Sequence, residues 1–102
     1  MKNVTVLGAG LVGSAIVRDL AQEESFQVTV VDVSQQALEQ VQAKVAVKAV
    51  QANLRTEGSV AAAIAGSDLV VCAVPGFMGF ETLKRVIEAG KDVVDISFFA
   101  ED

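Results

Sequence analysis

The sequence predicts an α/β domain: about five parallel strands in the order 3-2-1-4-5, a doubly wound sheet with helices on both faces. Three observations carry this reading. Short apolar runs such as Gln27-Val28-Thr29-Val30-Val31 and Asp68–Val74 recur along the chain. They read as strands buried on both faces, the pattern of a parallel sheet. Between them lie stretches with apolar residues at helical spacing. The first run leads through Gly8-Ala9-Gly10-Leu11-Val12-Gly13, glycines spaced G-x-G-x-x-G where a strand passes into a helix.

Strand one is expected over about Asn3–Leu7 and helix one over about Leu11–Glu23, where Val12, Ile16 and Leu20 form one stripe. Ser25 and Phe26 mark the turn into strand two, about Gln27–Val31. Ser34 is placed to cap a short helix through Ala43, with Leu38 and Val41 on its buried side. Strand three covers about Val45–Val50. Thr56 is the expected cap of a third helix, with Val60, Ala63 and Ile64 facing inward and Gly66 at its C′ position. Asp68–Val74 reads as the central strand, and Gly76 and Gly79 as punctuation of the loop that follows. A fourth helix then carries Leu83, Val86 and Ile87 on one face and ends at Gly90, and Asp92–Ile96 is strand five. Each crossover is helical and right-handed, and in this strand order the cleft is expected at the reversal of order between strands one and four.

At 102 residues the chain is one domain, near the low end of the usual ~100–150. With 52% hydrophobic and 21% charged residues it can bury a core and is not disordered. It has no Trp, Tyr or His and five Phe, so that core is aliphatic. A net charge of −5 without a basic cluster or stacking aromatics argues against nucleic acid. The apolar stretch Val4–Val17 is broken by Gly8, Gly10, Gly13 and Ser14, leads into Arg18-Asp19, and lacks a small-x-small site, so it is not a secretory signal. No run reaches the ~18 apolar residues of a membrane span. The single cysteine, Cys72, sits in an apolar strand as a small hydrophobe, which favours a cytoplasmic protein. The sequence stops about five residues after strand five, at Ala100-Glu101-Asp102. This predicts either a domain of a longer chain or a minimal standalone version.

Each glycine of the fingerprint has a physical task. Gly8 lets the chain turn tightly out of the strand, Gly10 lets the backbone approach a pyrophosphate, and Gly13 lets helix and strand pack closely. The helix N-terminus supplies unpaired amides and the positive end of its dipole. Asp32 ends strand two, nineteen positions beyond Gly13, close to the ~20-residue spacing of a carboxylate that binds the adenosine ribose. Strand, glycine turn, helix, strand and acid in this order make a dinucleotide site of the Rossmann type. The plainer alternative is a βαβ unit with coincidental glycines. Asp32 would repel a 2′-phosphate, and Val33 and Ser34 offer no cation to neutralise one, so NAD is favoured over NADP.

Asn53, after strand three, can reach an adenine edge or serve as an ordinary turn former. The segment Ala73-Val74-Pro75-Gly76-Phe77-Met78-Gly79-Phe80 leaves strand four beside the cleft. Pro75 stiffens the exit, and Gly76 and Gly79 permit close backbone approach. Phe77, Met78 and Phe80 are expected to cluster, as core packing, as a wall for the nicotinamide end or as a docking patch. Asp95 and Ser97 point toward the same rim. No catalytic residue is assigned: histidine is absent, and there is no metal cluster, G-x-S-x-G elbow or G-K-[ST] phosphate loop.

The chain resembles the saccharopine dehydrogenase-like family, in particular its lysine 6-dehydrogenase-type members. The likeness runs through Val4–Gly13, Val31-Asp32-Val33, the P-G-F-x-G-F segment Pro75–Phe80, and Val94-Asp95-Ile96-Ser97-Phe98. It spans essentially the whole chain but only the N-terminal third of such an enzyme. The resemblance implies that Gly8, Gly10, Leu11, Val12 and Gly13 surround the pyrophosphate and that Asp32 meets the ribose. It also implies that Ala73, Val74, Pro75 and Gly76 lie along the cofactor. Where the family often has Asp after strand three, this chain has Asn53, whose carbonyl oxygen can still meet an adenine amino group. Substrate groups and a dimer interface would come largely from a second, C-terminal domain, so this chain alone would bind cofactor without turning over substrate. Two other functions compete. One is a regulatory nucleotide-sensing module of the potassium-uptake type, binding NAD(H) or ATP, although Gln51-Ala52-Asn53 lacks the Gly-Asp pair usual there. The other is a partner-binding scaffold that kept the fold without a ligand.

Overall fold

A computed structural model describes residues 1–96, apart from the side chain of Phe77. Five strands alternate with four helices: β1 (Lys2–Leu7), α1 (Leu11–Leu20), β2 (Phe26–Asp32), α2 (Gln35–Gln42), β3 (Lys48–Gln51), α3 (Ser59–Ile64), β4 (Leu69–Cys72), α4 (Gly76–Glu88) and β5 (Asp92–Asp95). The strands form one parallel sheet in the order β3-β2-β1-β4-β5, as expected. Among the described residues no helix is long and apolar enough to cross a membrane.

Strand side chains alternate between two cores, which is why the strands read as continuous apolar runs. Val4, Val6, Val28, Val30 and Val71 face one side, where Val17 of α1 and Leu38 and Val41 of α2 close over them. Leu7, Val31, Val70 and Cys72 face the other, against Val60 and Ile64 of α3 and Val86 of α4. The largest of these are fully buried, and each contributes on the order of 1.5–3 kcal/mol. Thr5, the one buried polar residue of β1, shares a 2.5 Å hydrogen bond with Ser67 across this second face.

Ser34 caps α2 as expected: its hydroxyl accepts from the Ala37 amide at 3.1 Å. Four local expectations are corrected. Thr56 does not cap α3. The N-cap is Gly58, and Thr56 instead closes the preceding turn, its amide donating to the Asn53 carbonyl. The segment after β4 is not a glycine loop, because α4 begins at Gly76 with Pro75 as its N-cap, and Gly79 lies inside the helix. The expected apolar cluster is therefore split. Met78 packs on the second core while Phe80 is 77% exposed, since residues two apart on a helix face nearly opposite ways. Ile87, expected inside, is exposed: it lies about 100° around the helix from Val86, which is the residue that enters the core.

Candidate functional site

The cleft lies at the carboxyl ends of β1 and β4, where α1 leaves toward one face of the sheet and α4 toward the other. Backbone bonds hold its floor: the Gly8 amide donates to the Val31 carbonyl at 2.7 Å, and the Ala73 amide to the Leu7 carbonyl at 2.8 Å. Gly8 has φ +108°, and a Cβ there would stand 2.6 Å from the Ala73 carbonyl oxygen. A side chain is thus excluded twice, by backbone conformation and by the neighbouring segment. A Cβ on Gly13 would overlap the Gly8 carbonyl oxygen, so the first turn of α1 presses directly on the turn that precedes it. Gly10 is exposed and extended, at φ −72° and ψ −165°, a conformation open to any residue.

α1 begins without a side-chain cap and without an acid in its first turn. The amides of Gly10, Leu11 and Val12 donate to no protein group among the described residues. They leave a patch of donors at the positive end of the helix, suited to an anion. Leu11 is exposed and Val12 half-buried. At the edge of this patch stands Asp32, half-buried at the end of β2. Its Oδ2 accepts from the Ala9 amide at 2.7 Å and its Oδ1 from the Ser34 amide at 2.8 Å. A carboxylate has about four acceptor sites, so capacity remains for hydroxyl donors. The bond to Ala9, the residue before that patch, sets the carboxylate beside it.

Across the cleft, Ala73 and Val74 are buried, with 5% and 2% exposure. Pro75 is exposed and Gly76 half-buried at the start of α4. Asn53 is exposed in the β3–α3 turn. Its Oδ1 accepts from the Arg55 amide at 3.0 Å, and its carbonyl oxygen accepts from the Ser59 hydroxyl at 2.6 Å. Beside that turn, Leu54, Arg55, Met78, Glu81, Thr82 and Arg85 line a cleft of about 270 Å³. Asp95 is half-buried and in register with Cys72, while Ser97 and Phe98 lie outside the described residues. Sequence reasoning passed over Ser14, whose hydroxyl donates to the Ala9 carbonyl at 2.8 Å. Only its place directly after Gly13 could have signalled it.

These features fit a dinucleotide: a tight glycine turn in which a Cβ at Gly8 or Gly13 would strike backbone, free amides at a helix start and a carboxylate at its margin. The family model for the saccharopine dehydrogenase NADP binding domain matches residues 4–102. The chain belongs to this family. It is a nicotinamide dinucleotide-binding domain of the saccharopine dehydrogenase type, and the regulatory-module reading is not favoured. No curated protein matches the chain. Among solved structures it is similar to saccharopine dehydrogenase (L-Glu forming) from Saccharomyces cerevisiae, with 24% identity and a TM-score of 0.83 over 93% of this chain and 21% of that one. It is also similar to a myo-inositol dehydrogenase from Corynebacterium glutamicum, with 16% identity and a TM-score of 0.73 over 93% of this chain and 27% of that one. The WlbA dehydrogenase from Bordetella pertussis, solved with NADH and UDP-GlcNAcA, gives 20% identity and a TM-score of 0.70 over 91% of this chain and 27% of that one. At these identities the likeness is one of fold. The chain thus spans between a fifth and a third of the length of each of these three structures.

Proposed function

We propose that residues 1–102 are the cofactor domain, and the N-terminal part, of a longer amino-acid oxidoreductase, and that they bind NAD(H) in preference to NADP(H). In this reading the amides of Gly10, Leu11 and Val12 hold the pyrophosphate over the cradle made by Gly8 and Gly13. Asp32 accepts from the adenosine ribose. Asn53 lies toward the adenine, and the backbone of Ala73, Val74, Pro75 and Gly76 follows the cofactor toward its nicotinamide. The bound cofactor supplies hydride transfer, while this chain binds and orients. The substrate groups, and the interface of a homodimer, belong to a further domain. A cytoplasmic setting suits a chain with one cysteine and so no internal disulfide.

The observation that supports the NAD preference is the Asp32 carboxylate. Two amides hold it in place, and Val33 and Ser34 follow it without a cation. A 2′-phosphate about 4 Å away would meet repulsion of about 4 kcal/mol per unit charge pair near a protein surface. Arg18 and Lys44, in the groove between α1 and α2 that begins at Gly10, are the cations that an NADP preference would have to recruit. Fluorescence titration with NADH and NADPH decides between the two. NADH is expected to bind at least tenfold more tightly, and Asp32→Ala to weaken NADH far more than NADPH. Equal losses for both cofactors would remove Asp32 from the ribose site.

A further inference from the structure

Ser14 is the residue of α1 whose side chain reaches back past the start of its own helix. Its Oγ donates to the Ala9 carbonyl oxygen at 2.8 Å, five residues earlier, while its own amide donates to the Gly10 carbonyl at 2.8 Å. A serine within a helix commonly bonds the carbonyl three or four residues back, which decorates the helix and holds nothing outside it. Here the acceptor lies in the glycine turn. The Ala9 carbonyl has no amide partner within the described residues, so the Ser14 hydroxyl is its hydrogen-bond donor.

The consequence follows from the planarity of the peptide unit. The Ala9 carbonyl and the Gly10 amide belong to one rigid trans plane and point in opposite directions. Fixing the carbonyl on Ser14 therefore fixes the direction of the Gly10 N–H, an amide with no acceptor among the described residues. The peptide before it is fixed from the other side, because the Ala9 amide donates to Asp32 Oδ2 at 2.7 Å. Both peptide planes flanking Ala9 are thus locked by side chains from two different elements, α1 and β2. The Gly10 carbonyl, in the next peptide plane, accepts from the Ser14 amide and opens the helix ladder, whereas the Gly10 N–H has no acceptor among the described residues.

We infer that Ser14 is a positioning residue of the dinucleotide site, aiming the Gly10 amide at the pyrophosphate by holding the Ala9 carbonyl. The inference rests on the dinucleotide reading above. Ser14 need not touch the cofactor. It acts through the peptide plane, so its effect is confined to ligands that carry the phosphates. Asp32, which meets the ribose, anchors the same turn, so the ribose and phosphate ends of the site share one support.

The test uses this 10.6 kDa chain, with ligands titrated and followed by backbone amide NMR. Ser14→Ala is expected to weaken NADH and ADP-ribose about tenfold, to leave adenosine within twofold, and to move the Gly10 amide resonance before any ligand is added. Ser14→Thr keeps the hydroxyl and is expected to restore NADH affinity to within threefold and to return the Gly10 resonance. Equal losses for adenosine and NADH would mean a general loosening and would overturn the inference, as would NADH affinity unchanged by Ser14→Ala. If the unsubstituted chain binds no dinucleotide, the functional reading itself falls. If it binds and Ser14→Ala binds equally well, only the role of Ser14 falls.

Discussion

Two strand-to-helix turns face each other across the cleft, and they are built in opposite ways. The β1–α1 turn is over-determined. Gly8 sits in the left-handed region, Gly13 lies against the Gly8 carbonyl, and Asp32 and Ser14 pin the peptides on either side of Ala9. The β4–α4 turn is spare: Ala73 and Val74 stay in the cores, Pro75 caps the helix with its fixed φ, and Gly76 is already helical. The first turn presents a shaped set of amides, and the second offers a smooth backbone wall. Side-chain anchors are concentrated at the turn that carries the free helix-start amides, where an anion would reward correctly aimed donors.

This contrast can be broken experimentally, and the largest effect belongs to the first turn. Gly13→Ala forces a Cβ into the Gly8 carbonyl, backbone against backbone, with no side chain to yield. It is expected to destabilise the fold by about 3 kcal/mol or more and to abolish NADH binding. Urea denaturation monitored by circular dichroism measures the loss, and a change below about 1 kcal/mol would mean that the turn is more pliant than described. Asp32→Ala comes next. Beyond its effect on cofactor affinity, it frees the Ala9 and Ser34 amides. A drop in unfolding free energy of about 1–3 kcal/mol is expected in the absence of ligand. The smallest effect belongs to the second turn. Gly76→Ala, at the first position of α4 and outside the left-handed region, is expected to change stability by less than about 1 kcal/mol. A thermal melt showing a collapse on the scale of Gly13→Ala would erase the distinction between the two turns.

Much of this architecture was legible before any coordinates. The strand order, the glycine turn and the Ser34 cap followed from valine runs, helical stripes and fixed spacings, while the family was indicated by resemblance, through the Pro75–Phe80 and Val94–Phe98 segments. These are local signals with one dominant physical cause. The misreadings share a cause too. Gly76 and Gly79 looked like a loop because glycine is a poor helix former, by about 1 kcal/mol relative to Ala. The packing of Met78 and Val86 in the second core, together with Pro75 at the N-cap, outweighs that penalty. Thr56 looked like a cap because its hydroxyl suits one, yet the Asn53 turn takes up Thr56 and defers the helix to Ser59.

By itself the sequence determined the kind of site: a glycine spacing admits a backbone cradle, and an acid at the end of the second strand supplies a carboxylate. Only the tertiary structure decided how those parts are joined. It set Gly8 beneath the Ala73 carbonyl, gave Asp32 the Ala9 amide as a partner and brought Ser14 back onto the glycine turn. The reason is one of range. Spacing along the chain reports helix and strand periods, whereas the direction of a single peptide plane depends on groups that meet only when β1, β2, β4 and α1 are packed together.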